Sequence, residues 1–246
     1  MREKKAKIVC LVPSWTETLL VAGAFVAGRT RFCIHPADLV ADIPVVGGTK
    51  NLKLDEILQL APDLVVMDQE ENRLEMAEQL RASGIEIMAS QVSGLQSAAD
   101  FLQALSQKLN RPKLAEFSER YRNLEKKTFS RDKFLQNSVL EKNSDVPFEG
   151  IDYVIWRKPF MVIGAGTFIS EIMAKIGIEL TRSEKYPKVS PQELLSSYCL
   201  FSTEPFPFAG EFAVLTEQGF RGALIDGEKI SWYGVRNLEF MESCAE

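Results

Sequence analysis

Two side chains with metal-ligand chemistry stand one residue apart in Cys33-Ile34-His35, and His35 is the only histidine of the 246 residues. On an extended segment residues i and i+2 point to the same side, so both reach one metal ion or one axial position of a bound cofactor. A structural zinc site takes four nitrogen or sulfur ligands, and this neighbourhood supplies two. The other reading of His35 is a loop imidazole hydrogen-bonded to backbone. Cys10, Cys33, Cys199 and Cys244 show no CxxC spacing, and Cys10 and Cys199 sit inside apolar runs, the pattern of buried free thiols in a reducing compartment. No Ser-His-Asp arrangement and no carboxylate pair suited to acid–base work stands out, which argues against a hydrolase.

The aromatic residues carry more information. Trp15, Trp156 and Trp232 each fall at or just past the carboxyl end of an expected strand, and Phe32, Phe160, Phe206, Phe208, Tyr186 and Tyr233 are expected around them. Rings facing a cleft suit a bulky flat ligand, and the same rings can instead pack the interior of each lobe. Ser14, Thr49, Lys50, Asn51, Asn72 and Arg73 are the polar candidates for orienting a ligand's amides or carboxylates, with solvated loop residues as the alternative. Glu70 and Glu71 precede an expected helix, whose dipole favours acids there without any functional reason. Gly164-Ala165-Gly166 lacks the third glycine of a dinucleotide fingerprint and reads as a tight turn before a helix.

The elements that position these residues alternate. Residues 7–12 form an apolar run bounded by Pro13, and Ser14-Trp15-Thr16-Glu17 matches a capping box for a helix over 15–22. Strands are expected over 24–30, 63–67 and 85–89, and helices over 54–60, 72–82 and 94–109. That order implies a parallel sheet covered on both faces, whose ligands sit beyond the carboxyl ends of the strands. Loops 13–15, 31–36 and 68–73 leave such ends. Pro112 to about Arg131 reads as one unbroken helix of roughly 30 Å, with Leu114, Phe117, Tyr121 and Leu124 as its apolar stripe. Residues 132–150 are polar and read as a connector; strands over 151–156, 197–201 and 223–226 alternate with further helices, the last opening at 231–236. The expected fold class is therefore α/β: an amino-terminal lobe over 1–110, a bridging helix over 111–131 and a carboxyl-terminal lobe over 132–246, each lobe three-layered around a mainly parallel sheet.

Composition narrows the function. A net charge of −5 lacks the basic surface that nucleic acid requires, and no apolar run approaches the roughly 20 residues of a membrane span. The basic start, Met1-Arg2-Glu3-Lys4-Lys5, runs into residues 8–12 and Pro13, too short for a signal-peptide core, so a cytoplasmic location is expected unless a leader has been removed.

An ordered set of motifs resembles one family. Val12-Pro-Ser-Trp-Thr-Glu-Thr18, Thr30-Arg-Phe-Cys-Ile-His-Pro36, Val46-Gly-Gly-Thr-Lys-Asn51, Leu60-Ala-Pro-Asp-Leu-Val-Val66, Glu70-Glu-Asn-Arg73, Trp156-Arg-Lys-Pro159, Gly166-Thr-Phe-Ile169, Tyr186-Pro187 with Ser190, Ser202-Thr-Glu-Pro-Phe-Pro-Phe208 and Asp226-Gly-Glu with Ser231-Trp-Tyr-Gly234 span nearly the whole chain. Together they resemble the helical-backbone (class III) substrate-binding proteins of ABC transporters, in particular the vitamin B12-binding receptor branch. The resemblance implies two α/β lobes on one helix, no enzymatic activity, no intrinsic cofactor, and a ligand held between the lobes: a cobalamin-like corrinoid, haem or a ferric siderophore. It also implies a monomer that docks on an ABC permease through an acid on each lobe, for which Glu70 or Glu71 and Glu204 are the candidates, and a periplasmic or cell-surface location. The alternative is a cytosolic enzyme or metallochaperone that acts on a metal-containing cofactor with the same cleft.

Overall fold

The computed structural model describes residues 6–180 and 182–246. The chain is an α/β protein whose residues divide into two compact units. Unit 1 comprises the chain up to Gln91, Ser97–Tyr121 and Tyr233–Arg236; unit 2 comprises Val92–Gln96, Arg122–Trp232 and Asn237–Glu246.

Unit 1 is built from β1 (Lys7–Cys10), α1 (Pro13–Val21), β2 (Phe25–Arg29), α2 (Ala37–Val40), α3 (Leu54–Leu60), β3 (Leu64–Asp68), α4 (Leu74–Ala82) and β4 (Ile87–Ser90), together with most of α5 (Leu95–Leu109) and of α6 (Pro112–Leu124). Its four strands are parallel in the order β2-β1-β3-β4. Val9, Val65 and Met67 turn to one face, where they pack with Ile57 of α3 and Met76, Ala77 and Leu80 of α4. The stripe read from sequence on α6 is buried as expected, Leu114, Phe117, Tyr121 and Leu124 all being at most 1% exposed. Ser118 fastens this helix to α5 by donating to the Ala99 carbonyl at 2.7 Å.

Unit 2 follows with α7 (Arg131–Ser138), β5 (Val139–Lys142), β6 (Ile151–Arg157), β7 (Phe160–Val162), α8 (Phe168–Lys175), β8 (Lys188–Val189), α9 (Pro191–Leu195), β9 (Tyr198–Ser202), α10 (Phe212–Glu217), β10 (Arg221–Ile225), α11 (Gly227–Ser231) and α12 (Val235–Cys244). The sheet order is β5-β10-β9-β6-β7-β8; β10, β9 and β6 are parallel, and β5, β7 and β8 pair antiparallel to their neighbours. Phe201 of β9 centres the core, with the rings of Phe208, Phe212 and Phe220 at 5.2, 6.1 and 6.2 Å.

Three sequence expectations are corrected. The helix expected over 111–131 stops at Leu124, and a second begins at Arg131 behind the Ser130 cap. The chain leaves helix here because Phe129 bridges to Ala245, while the Ser130 N–H donates to the Cys244 carbonyl and the Glu246 N–H to the Thr128 carbonyl. The two units meet in sequence between Tyr121 and Arg122, and each includes short pieces from elsewhere in the chain. The polar connector expected over 132–150 carries α7 and β5. Finally, Ser14 caps nothing: α1 starts at Pro13, whose lack of an N–H suits the first helical position, and Ser14 is already inside the helix.

Phe201 supplies the test of the unit 2 core. Replacing it with Ala removes the ring that three other phenylalanines pack against and should cost about 3 to 5 kcal/mol, read as a lowered midpoint in urea.

Candidate functional site

In unit 1 the carboxyl ends of four parallel strands release the loops singled out from sequence. The 45–52 loop joins them, because Val46 N–H donates to the Arg29 carbonyl and Arg31 N–H to the Gly47 carbonyl. Gly47 makes the turn at φ 119°, and a Cβ there would stand 2.4 Å from the Asn51 carbonyl oxygen. Phe32, Lys50, Asn51, Glu70 and Arg73 are exposed on this edge, and Thr49, His35 and Glu71 are half-buried. The Arg31 guanidinium lies over the Phe32 ring, 4.8 Å from its centroid.

Beneath the loops runs a hydrogen-bonded chain that the sequence did not announce. Asp68, at the end of β3, is 4% exposed. One oxygen accepts from Ser90 Oγ at 2.6 Å, the other from the N–H groups of Glu70 and Glu71 at 2.9 and 3.2 Å. Ser90 Oγ in turn accepts from Trp15 Nε1 at 2.9 Å. Asn72 Oδ1 accepts from the Asp68 N–H, and its Nδ2 donates to the Thr49 carbonyl at 2.8 Å, tying the 68–73 loop to the 49–51 loop. The only sequence signal was a charge closing an otherwise apolar strand, Leu64 to Asp68.

Several candidates lie in the interior of unit 1. Trp15 is fully buried, with the rings of Phe101 and Tyr233 each 5.0 Å from it. Tyr233 is buried too, and its hydroxyl donates to Glu71 Oε1 at 3.5 Å. Ser14 and Asn72 are buried, the first with its Oγ unpaired and the second fully used in the loop tie. Cys33 closes a turn with Thr30, its N–H donating to the Thr30 carbonyl, and is buried where His35 is half-buried. The Cys33 thiol is buried between the hydroxyls of Thr16 and Thr30 at 3.1 and 3.2 Å, and burial pushes its pKa up. Among the described residues no three His, Cys, Asp or Glu side chains converge as metal ligands. Glu71 differs from a free surface acid, since burial, with Asp68 beside it, lifts its carboxyl to about 8.

In unit 2 the corresponding edge carries Trp156, 42% exposed near the end of β6, and half-buried Phe206 in the loop after β9. Their ring centroids are 5.6 Å apart, edge to face. Tyr186 is exposed, and Trp232 and Glu204 are half-buried. Phe208 is fully buried, 5.2 Å from Phe201, and belongs to the core. Phe160 is 8% exposed; it packs on Phe220 at 5.6 Å and lines a cavity of about 470 Å³ with Arg157, Lys158, Pro159, Val189, Pro191, Gln218 and Phe220. Arg157 there is ion-paired with Glu211. What remains open to a ligand is a set of exposed rings and polar loop tips on each unit.

The sequence pattern of the periplasmic binding proteins matches residues 8–198. The fold is shared with the periplasmic vitamin B12-binding protein BtuF of Vibrio cholerae, at 21% identity over 97% of this chain and 95% of that one, with a TM-score of 0.70. It is shared also with the periplasmic heme-binding protein RhuT of Roseiflexus sp. RS-1, at 18% identity, 96% and 95% coverage and a TM-score of 0.75. A periplasmic heme-binding protein of Pseudomonas aeruginosa matches at 20% identity, 98% and 94% coverage and a TM-score of 0.74. A comparison with curated protein sequences finds no match.

Asn72 gives the loop architecture a direct test. Asn72→Ala leaves the Asp68 N–H and the Thr49 carbonyl without their partner and should lower stability by about 1 to 3 kcal/mol. Hydrogen exchange should show the 49–51 and 68–73 loops opening together, whereas Asn51→Ala on the exposed tip should leave both the stability and the 68–73 loop unchanged.

Proposed function

The chain belongs to the periplasmic binding protein family, and from that premise we propose that it carries a corrinoid or other metal-chelate macrocycle for an ABC-type uptake system. The family consists of the small-molecule-binding components of such systems, and the protein is a substrate-binding protein, not an enzyme. Its ligand is cargo rather than an intrinsic cofactor.

The observation that carries the choice of ligand is the Trp156–Phe206 pair. A tryptophan and a phenylalanine kept edge to face at the ends of two central strands, with the indole open to solvent, offer a flat apolar platform that a macrocycle covers. Phe32 under Arg31 offers a second exposed ring on unit 1, and Tyr186 a third on unit 2. The solved structures of the same fold include proteins named for vitamin B12 and for heme, so both ligands belong in the test. A single histidine counts against a bare metal ion as cargo. Exposed Glu70 and half-buried Glu204 are the acids proposed to meet a permease; Glu71, half-buried and hydrogen-bonded, is the less suitable of the neighbouring pair. The reading carries with it a monomer in the periplasm or at the cell surface. No helix among the described residues is long and apolar enough to cross a membrane.

Titration with cobalamin, haemin and a ferric siderophore, followed by tryptophan fluorescence, tests the proposal. Saturable quenching by one of the three is expected, and Trp156→Ala should weaken that binding by about 1 to 3 kcal/mol, the scale of burying one large apolar side chain. Absence of saturable quenching with all three would overturn the reading.

A further inference from the structure

The hollow in unit 2 is bounded by three junctions of the chain: the turn between β6 and β7, the passage from β8 to α9 and the passage from α10 to β10. Its volume of about 470 Å³ lies within the range of small-molecule sites. Two kinds of wall meet in it. Phe160, Val189 and Phe220, at 8%, 7% and 5% exposed, join Pro159 and Pro191 on the apolar side. The Phe160 and Phe220 rings stand 5.6 Å apart and are tilted by 52°, a fixed aromatic corner.

The polar side carries charge of one sign. Arg157 and Lys158 line the hollow, and among the described residues the one carboxylate paired with either of them is Glu211, on Arg157. The Arg157 side chain is only 14% exposed, and Glu211 engages it at Nη1. A guanidinium carries several N–H donors in a flat fork, so one carboxylate leaves it donors to spare. Lys158 adds an exposed ammonium and Gln218 an exposed amide at the rim. Two cations against one acid make a locally positive spot on a chain whose net charge is −5. A single surplus positive charge suits a monoanion, and the aromatic corner suits a flat apolar body. We propose that the hollow is a second small-molecule site, one for an aromatic monocarboxylate whose ring packs against Phe160, Phe220 and Val189 while its carboxylate meets Arg157 and Lys158.

This site goes beyond the function proposed above and does not rest on it. The cargo reading is carried by the Trp156–Phe206 pair, and neither residue lines the hollow. A space of about 470 Å³ admits two fused rings with a short acidic arm and is too small for a macrocycle. The link between the two sites is the chain itself, since Arg157 follows Trp156 at the end of β6.

Naphthaleneacetate and naphthaleneacetamide, nearly equal in shape and different in charge, test the proposal when each is titrated into the full chain and followed by backbone amide NMR shifts. Saturable shifts at Lys158, Phe160, Val189, Gln218 and Phe220 are expected with the acid, at a Kd of about 1 mM or tighter for a guest of this size. The amide should bind about tenfold more weakly, since it forms no charge-assisted hydrogen bond. Arg157→Gln should weaken the acid about tenfold and Lys158→Gln about threefold, the smaller loss reflecting an exposed ammonium. Val189→Phe fills the hollow and should abolish binding; if that variant does not fold, the two charge variants still decide. No saturable shift up to about 10 mM, equal affinity for acid and amide, or wild-type affinity in both charge variants overturns the site, as does retained binding in a folded Val189→Phe. Shifts confined to the Trp156 indole and residues 204–206 place the probe on the cargo platform and overturn it as well.

Discussion

Unit 1 depends on one carboxylate held out of water. Burying the charge of Asp68 costs several kcal/mol unless its oxygens are hydrogen-bonded, and a hydroxyl and two backbone N–H groups meet that need. Each donor then has a fixed place. Ser90 is turned so that its oxygen accepts from the Trp15 indole, which sets the tilt of the ring against Phe101 and Tyr233. The backbone from Gln69 to Glu71 is wound around the carboxylate as an aspartate-capped turn. Asn72 closes the turn on the Asp68 N–H and carries the constraint to Thr49. One acidic side chain thus orders an aromatic cluster below it and two loops above it.

Unit 2 meets the same problem with the opposite solution. Asp152 in β6 is 2% exposed and faces a guanidinium, with Arg182 Nε and Nη2 at 3.0 and 3.2 Å from its two oxygens. The third arm of the arginine reaches Glu193, which also closes a capping box with Ser190 at the start of α9. Ion pairing there pins a loop and a helix start to the strand and leaves no dipole in need of a partner. Neutral donors hold Asp68 only while the loop keeps its shape, whereas Asp152 has a full positive charge beside it.

How much of this was legible depends on the range of the interactions. The strands were readable because Leu64 to Met67 and Ile151 to Ile155 are largely apolar at consecutive positions, the mark of a sheet buried on both faces. The α6 stripe was readable because helical periodicity is local. Where α6 stops was not, since residues 125–131 hold no breaker and the competing partner, Ala245, lies at the far end of the chain. The antiparallel edges β7 and β8 are three and two residues long, too short to show a period. The family was legible because ten short motifs in order are far more specific than any one of them, and the match over residues 8–198 covers most of that order. The site was half legible: residue type marked the aromatic loops, but type alone does not say which rings face inward.

The two tryptophans show why. Trp15 lies in the first turn of α1, a helix packed along the sheet, where its indole N–H finds Ser90 and its faces find two rings; helix and sheet together leave it no route to solvent. Trp156 lies in a strand, and the pairing of β6 with β7 slips between Val154 and Trp156. Such a bulge puts an extra residue on one strand and re-aims the side chain beyond it. Ile155 stays in the core at 7% exposed while Trp156 is delivered outward at 42%. Phe206 then meets the indole edge to face and is itself backed by Phe208 at 4.6 Å, so the outward ring rests on a stack that continues to Phe201 in the core. Holding the indole out on a rigid aromatic column is the arrangement expected of a surface that something else covers.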